Sequence, residues 1–260
     1  MPELTFMLIS YTSALLVLMN TFAASENPVL SSTKATSFQV EAGALFTRNF
    51  EISGYGQSNA TRGWKGISPD IRLEYWTGLD RKWKQGFVFQ PLDVQYTETL
   101  TSDLTTKGQS FTAGSAASLR YMFPSIRWTK NRKILSGREG DELRFGGTVL
   151  IRYADVNFSS GSNSFHDRNL IMFPLLNLEG TKHICKSLSL FSRVDFLPSP
   201  TAGLFLDGLF DGLFAIRKEQ SDGSSYDLGL RLFIGGYDPK TPGEYANRIN
   251  YSALVLRKNF

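Results

Sequence analysis

The chain has 260 residues, of which 20% are charged, 42% hydrophobic and 13% aromatic, with 23 Gly and 20 Phe. That composition excludes a disordered chain and a multi-span helical membrane protein alike, and so many aromatics and glycines favour strands over helices. The formal net charge is +4, but the bases are scattered, and the densest stretch mixes Arg127, Lys130, Arg132, Lys133, Arg138 and Arg144 with Glu139, Asp141 and Glu142. Nucleic acid, which needs a face of one sign, is not an expected partner.

Residues 1–25 read as a signal peptide. Phe6 to Met19 is apolar apart from Ser10, Tyr11, Thr12 and Ser13, and Thr21, Ala23, Ala24 and Ser25 supply the small residues that suit cleavage near residues 23–25. The stretch is too short and too interrupted for a comfortable membrane-spanning helix. Glu3 is the only early charge, where such a segment should carry Lys or Arg, so an uncleaved anchor stays open. Residues 26–36 are polar and read as a short periplasmic leader.

From residue 37 to 260 the dominant signal has period two. Phe38, Val40, Ala42, Ala44 and Phe46 interleave with Gln39, Glu41, Gly43 and Thr47. The pattern returns in Ile71-Leu73-Tyr75 and in Leu143-Phe145-Val149-Ile151-Tyr153. Late in the chain it returns in Leu204-Leu206-Phe210-Phe214-Ile216 and in Tyr226-Leu228-Leu230-Leu232-Ile234. Apolar side chains two apart fall on one face of a strand, whereas a helix would scatter them. The expected strands are 37–54, 67–79, 84–100, 109–128, 142–158, 166–179, 185–196, 203–218, 224–237 and 247–260, about ten in all, with eight or twelve open. Many exceed the usual five or six residues and reach the roughly nine to eleven that a tilted transmembrane strand needs. Longer connectors (54–66, 101–108, 159–165, 197–202, 238–246) fall on one end and tighter turns (80–83, 180–184, 219–223) on the other, with a long 129–141 segment as the exception. Long loops outside and short turns at the periplasm are the habit of bacterial barrels.

The expected fold is therefore all-β: a closed antiparallel transmembrane β-barrel with both termini periplasmic. On this reading the apolar face meets lipid, with Tyr75, Trp76, Tyr96, Tyr121, Phe123, Tyr153, Tyr226 and Tyr237 as an aromatic girdle. A soluble lipocalin-like barrel in the periplasm shows the same alternation and is the alternative. The closing segment points the same way. Tyr251-Ser-Ala-Leu-Val-Leu-Arg-Lys-Asn-Phe260 resembles the last strand of Gram-negative outer-membrane β-barrels, which ends on Phe with apolar residues two apart behind it. Phe260, Leu256 and Leu254 match; Lys258 stands where that family usually places an aromatic or apolar residue, and Ser252 also departs. The resemblance implies an outer-membrane location, recognition of this strand by the barrel-assembly machinery, and contact with outer-membrane lipid and lipopolysaccharide.

The face opposite the apolar one is then the lumen. It would carry Glu41, Glu51, Asp70, Arg72, Glu74, Asp93, Arg120, Arg144, Arg152, Arg193, Asp195, Asp207, Asp211, Asp227 and Arg231, a set whose bases are all Arg. About ten strands enclose an interior little wider than its side chains, so the expected role is a structural ion-pair network before a pathway for a small solute.

No cofactor, metal or catalytic group is expected. The lone Cys185 has no partner for an internal disulfide. Asp207 and Asp211, in a tandem Asp-Gly-Leu-Phe, would lie about 13 Å apart on a strand, unlike a calcium loop. An outer-membrane barrel hydrolase, acting on lipid or peptide, is the enzymatic alternative. Its case is poor: His166 and Asp167 are adjacent and point to opposite faces, and His183 lies towards the periplasmic turns.

Overall fold

The computed structural model describes residues 36–79, 82–137, 141–197, 208–237 and 241–260. The readings of a signal peptide and a leader therefore fall, apart from Thr36, outside the described residues, as does Asp207.

The strands follow the period-two runs. They are β1 (Thr36–Gly54), β2 (Trp64–Thr77), β3 (Trp83–Gln90), β4 (Asp93–Thr99), β5 (Leu104–Thr106), β6 (Gln109–Phe111) and β7 (Ala116–Met122), then β8 (Ser125–Ser136), β9 (Glu142–Ser160), β10 (Asn163–Cys185), β11 (Leu188–Leu197), β12 (Leu209–Glu219), β13 (Ser225–Tyr237) and β14 (Tyr245–Asn259). β3 runs on into β4 past Pro91, and β7 into β8 past Pro124. Proline donates nothing to a ladder, so the strands break there without changing direction. The wall thus has ten staves, all neighbours antiparallel. The ring closes where β14 pairs with β1 over Gln39↔Asn259 to Gly54↔Tyr245. On the other side of β2, the ladder to β3 covers Leu73↔Phe89 to Thr77↔Gln85, and no ladder pairs β2 with β4 among the described residues.

The strand expected at 109–128 joins the wall only from Ala116, because residues 104–106 and 109–111 form a separate hairpin. Three further boundaries differ from the expectation. Residues 129–136 continue β8 instead of forming a long turn, paired with β9 through Ser136↔Glu142. Residues 159–165 form no loop: β9 and β10 stay paired to Asn163↔Ser160 around a turn at Gly161, where φ is +60°. Finally, β10 runs to Cys185, past the turn expected at 180–184. In each case the local residues are polar and look like connectors, and ladder hydrogen bonds to the neighbouring stave hold them in strand. Turns at 186–187 and 220–224, and the strand ends at Thr77, Trp83, Ser136 and Glu142, lie at the end of the barrel that holds both ends of the described chain. The connections 55–63, 100–115 and 161–162 lie at the other, the loop end, together with the strand ends at Leu197, Leu209, Tyr237 and Tyr245.

The two faces exchange character part-way along the staves. In β9 the inward residues run Arg144, Gly146, Thr148, Leu150, Arg152, Ala154, Val156, Phe158, while the outward ones run Phe145, Val149, Ile151, Tyr153, Asp155, Asn157, Ser159. The same exchange occurs in the β3–β4 stave at Pro91. There Phe87 and Phe89 face out beside inward Lys84 and Gln90, but Asp93 and Gln95 face out beside inward Leu92, Val94 and Tyr96. Near the turns the wall is apolar outside and polar inside, as lipid demands; near the loops it is polar outside and apolar inside, as water demands.

Candidate functional site: a filled lumen

The turn-end half of the lumen holds a connected set of charges. Asp211 on β12 is its centre: it accepts from Arg72 Nη1 of β2 at 2.9 Å, from Arg127 Nη1 of β8 at 2.5 Å and from Arg231 Nη1 of β13 at 2.8 Å. Arg231 also forks both oxygens of Glu41, at 2.8 and 2.7 Å. Arg127 reaches on to Asp195 at 3.2 Å, and Asp195 accepts further from Thr148 and Asn177. Arg72 lies within 3.9 Å of Asp70, which accepts from Gln90.

A second tier lies closer to the turns. Arg193 donates to Glu74 at 2.6 Å and to Glu179 at 3.0 Å, and Glu179 also accepts from Lys84 at 2.5 Å. Asp227 accepts from Arg217 at 2.8 Å and from Arg257. The Trp76 ring lies against two of these cations, Arg193 at 4.3 Å and Lys84 at 4.4 Å, and an arginine or lysine over an indole face is held by the ring's quadrupole. Gly86 makes room for that indole, since a Cβ there would collide with it. The two tiers together contain seven acids and seven bases, so the set is neutral and presents no net charge to a passing ion.

The remaining charges assigned to the lumen from the sequence lie elsewhere or stand apart. Arg144 faces inward at the turn-end mouth, bonded to Glu142 and to the Leu79 carbonyl. Arg152 is buried with no acid beside it among the described residues, its guanidinium 6.0 Å over the Phe123 ring. Glu51, Asp93 and Arg120 are corrections: all three face outward. Arg120 pairs with Asp93 at 2.8 Å on the outside of the wall. Glu51 follows a bulge between Thr47 and Asn49 that shifts the alternation and turns Phe50 and Ile52 inward instead. The girdle needs the same correction, for Trp76, Tyr96, Tyr121 and Phe123 are buried inside. Lys84, Arg127, Glu179, Arg217 and Arg257 belong to the network and were missed. Alternation alone could have found them, because each sits an even number of residues from an inward neighbour: Lys84 from Gln90, Arg257 from Tyr251. Lys84 also breaks the expectation that every lumenal base is Arg.

The loop-end half of the lumen is filled with apolar side chains. Phe50 lies 5.2 Å from Tyr96 and 5.9 Å from Tyr121 between ring centroids, and Phe158 lies 5.0 Å from Phe111 and 5.3 Å from Phe165. Phe111 and Leu104 come from the β5–β6 hairpin, which folds inward over the lumen. The Lys107-Gly108 turn of that hairpin has φ of +50° and +71°, the two positive values that a tight I′ hairpin turn needs. A lysine in that conformation costs about 1 kcal/mol, offset by its contacts: Nζ lies 2.6 Å from Glu244 and 3.3 Å from Asp167, and its backbone N–H donates to the Gly243 carbonyl. Partial burial works against the ammonium, but the hydrogen bonds to Glu244 and Asp167 outweigh it and raise the Lys107 pKa above the ordinary lysine value. Lys107→Met is expected to loosen this clasp, so that limited proteolysis cuts within residues 102–113 several-fold faster while the barrel stays intact. An unchanged cleavage rate would show that Phe111 and Leu104 hold the hairpin alone.

Outside the wall near the loops, Asp155 accepts from Arg168 at 2.9 Å and lies 3.0 Å from His166 Nε2. Asp167, next in sequence to His166, points inward to the Tyr245 hydroxyl. At the closing strand, Leu254 and Leu256 face outward, 58% and 55% exposed. The Phe260 backbone N–H donates to the Phe38 carbonyl, and the two rings lie 6.2 Å apart.

A belt of large apolar side chains around a ring whose interior is charged is stable only against hydrocarbon. The chain has the architecture of an outer-membrane β-barrel. The chain is similar to several solved structures at low identity. The outer membrane protease OmpT from Escherichia coli aligns at 10% identity over 89% of this chain and 98% of its own, with a TM-score of 0.48. The translocator domain of the autotransporter NalP from Neisseria meningitidis aligns at 12% over 96% and 97%, TM-score 0.34, and the attachment invasion locus protein Ail of Yersinia pestis at 7% over 84% and 97%, TM-score 0.33. At such values the likeness says nothing about activity. No protein-family model matches the barrel's sequence, and no curated protein is similar to it in sequence.

Proposed function

We propose that this barrel spans the outer membrane as a sealed cylinder and acts through the rigid, water-facing portion it raises beyond the lipid, as a structural or binding element and not as a pore. The observation that carries this reading is the apolar core of the loop-end lumen. Phe50, Tyr96, Tyr121, Phe158 and Phe165 come from five different staves, and all five are buried in the loop-end half of the lumen. Export by a leader cleaved near residues 23–25, lipid and lipopolysaccharide around the belt, and recognition of the Phe260 strand by the assembly machinery are parts of the same proposal. Hydrolysis is not favoured. His166 hydrogen-bonds only Asp155 and Arg168, and no hydroxyl among the described residues reaches it to serve as a nucleophile.

In planar bilayers the purified barrel is expected to show no steady ion conductance, and removal of residues 102–113 is expected to leave it closed, because strand side chains alone still fill the bore. Stable conductance steps in the unaltered protein would overturn the sealed reading and restore the narrow channel.

A further inference from the structure

We propose that the outer wall holds one phospholipid, with a phosphoethanolamine headgroup, in a trough at the turn end of β9 to β14. The pairing registers set Leu143, Gly180, Ser192, Phe214, Leu230 and Leu254 side by side across six staves, all facing out. Two small residues therefore sit together in a row of large ones, and the wall sinks over them into a depression of about 750 Å³. That volume is typical of a site for a small ligand. Its walls are apolar and it lies within the lipid belt, so hydrocarbon is what enters it.

The chemistry at the margin selects the class of lipid. One step towards the turns, Lys182 is 71% exposed, and its Nζ lies 2.5 Å from Asp141, which also accepts the His183 backbone N–H. An ammonium and a carboxylate side by side are the complement of a headgroup that carries a phosphate and an ammonium. Within the depression, the Ser192 hydroxyl has no hydrogen-bond partner among the described residues. A hydroxyl facing hydrocarbon costs free energy until it finds an acceptor, and the ester carbonyl of a glycerophospholipid arrives at that depth together with its tail. A second copy of the chain fits less well, because the convex wall of one barrel cannot reach into a recess in another.

This inference rests on the membrane-spanning reading, and one experiment separates the two. The barrel is refolded into phosphatidylethanolamine vesicles, extracted in mild detergent and weighed intact by native mass spectrometry. Slower gel mobility on boiling serves as the check of folding. One retained lipid per barrel is expected. Filling the trough with Gly180→Leu and Ser192→Leu should abolish that retention, and Lys182→Gln, a surface change that leaves the wall alone, should lower its occupancy at least three-fold. An inserted barrel with no retained lipid, equal retention in the variants, or a doubled protein mass in place of the lipid would each overturn the site. A chain that never enters the vesicles would overturn the membrane reading and the lipid site with it.

Discussion

Asp211→Ala is expected to destabilise the barrel by about 3–5 kcal/mol, read as a fall in the urea midpoint after refolding in phospholipid vesicles. Asp211 is fully enclosed and holds Arg72, Arg127 and Arg231 at 2.9, 2.5 and 2.8 Å. Its removal leaves three guanidinium groups facing one another with only Glu41, Asp70 and Asp195 to answer them. The loss is that of uncompensated buried charge, not of one bond, so it should be partly reversed when a cation goes too. Asp211→Ala combined with Arg231→Met should cost less than the two changes added together. Arg231→Lys should fall between the wild type and Arg231→Ala, because an ammonium cannot fork Glu41 as the guanidinium does. A midpoint for Asp211→Ala equal to that of the wild type would mean that water solvates these charges and that the lumen is open.

Phe87→Arg should destabilise the inserted barrel by about 2–4 kcal/mol, the cost of a cation on the lipid face at mid-membrane. Thr97→Arg, ten positions later on the same outward face of the same stave, should stay within about 0.5 kcal/mol of the wild type. Phe87 lies between Trp83 and Phe89 in the apolar belt, 54% exposed, whereas Thr97 lies beyond Pro91 among Asp93, Gln95 and Arg120, where the outside of the wall is polar. The contrast marks the margin of the lipid. Equal costs at the two positions, measured by the same urea titration, would remove the exchange of faces as that margin.

The same exchange explains which parts of the site the sequence showed and which it hid. Glu41, Asp70, Arg72 and Glu74 lie on stretches of β1 and β2 that alternate cleanly inside the lipid belt, and there the polar face is the lumen. Asp93 and Arg120 obey the same alternation but lie past Pro91 and before Pro124, where the solvent outside has changed from lipid to water. The polar face there is the outer one. Lys84 and Arg127 were passed over because basic residues near a turn look like surface residues until the ring encloses them.

Strand, period and the antiparallel build follow from local residues, since side chains two apart share a face whatever the strand pairs with. The sequence by itself therefore determined an all-β barrel of about ten long strands with a two-faced wall and a closing strand ending at Phe260. The tertiary structure decided how far each stave stands out of the lipid, that hairpin β5–β6 folds inward over the lumen, and that Asp211 meets arginines from β2, β8 and β13. Those contacts join residues 20 to 139 positions apart, and only the register around the closed ring brings them together. Alternation tells which residues share a face; the ring and the solvent on each side of it tell what that face is for.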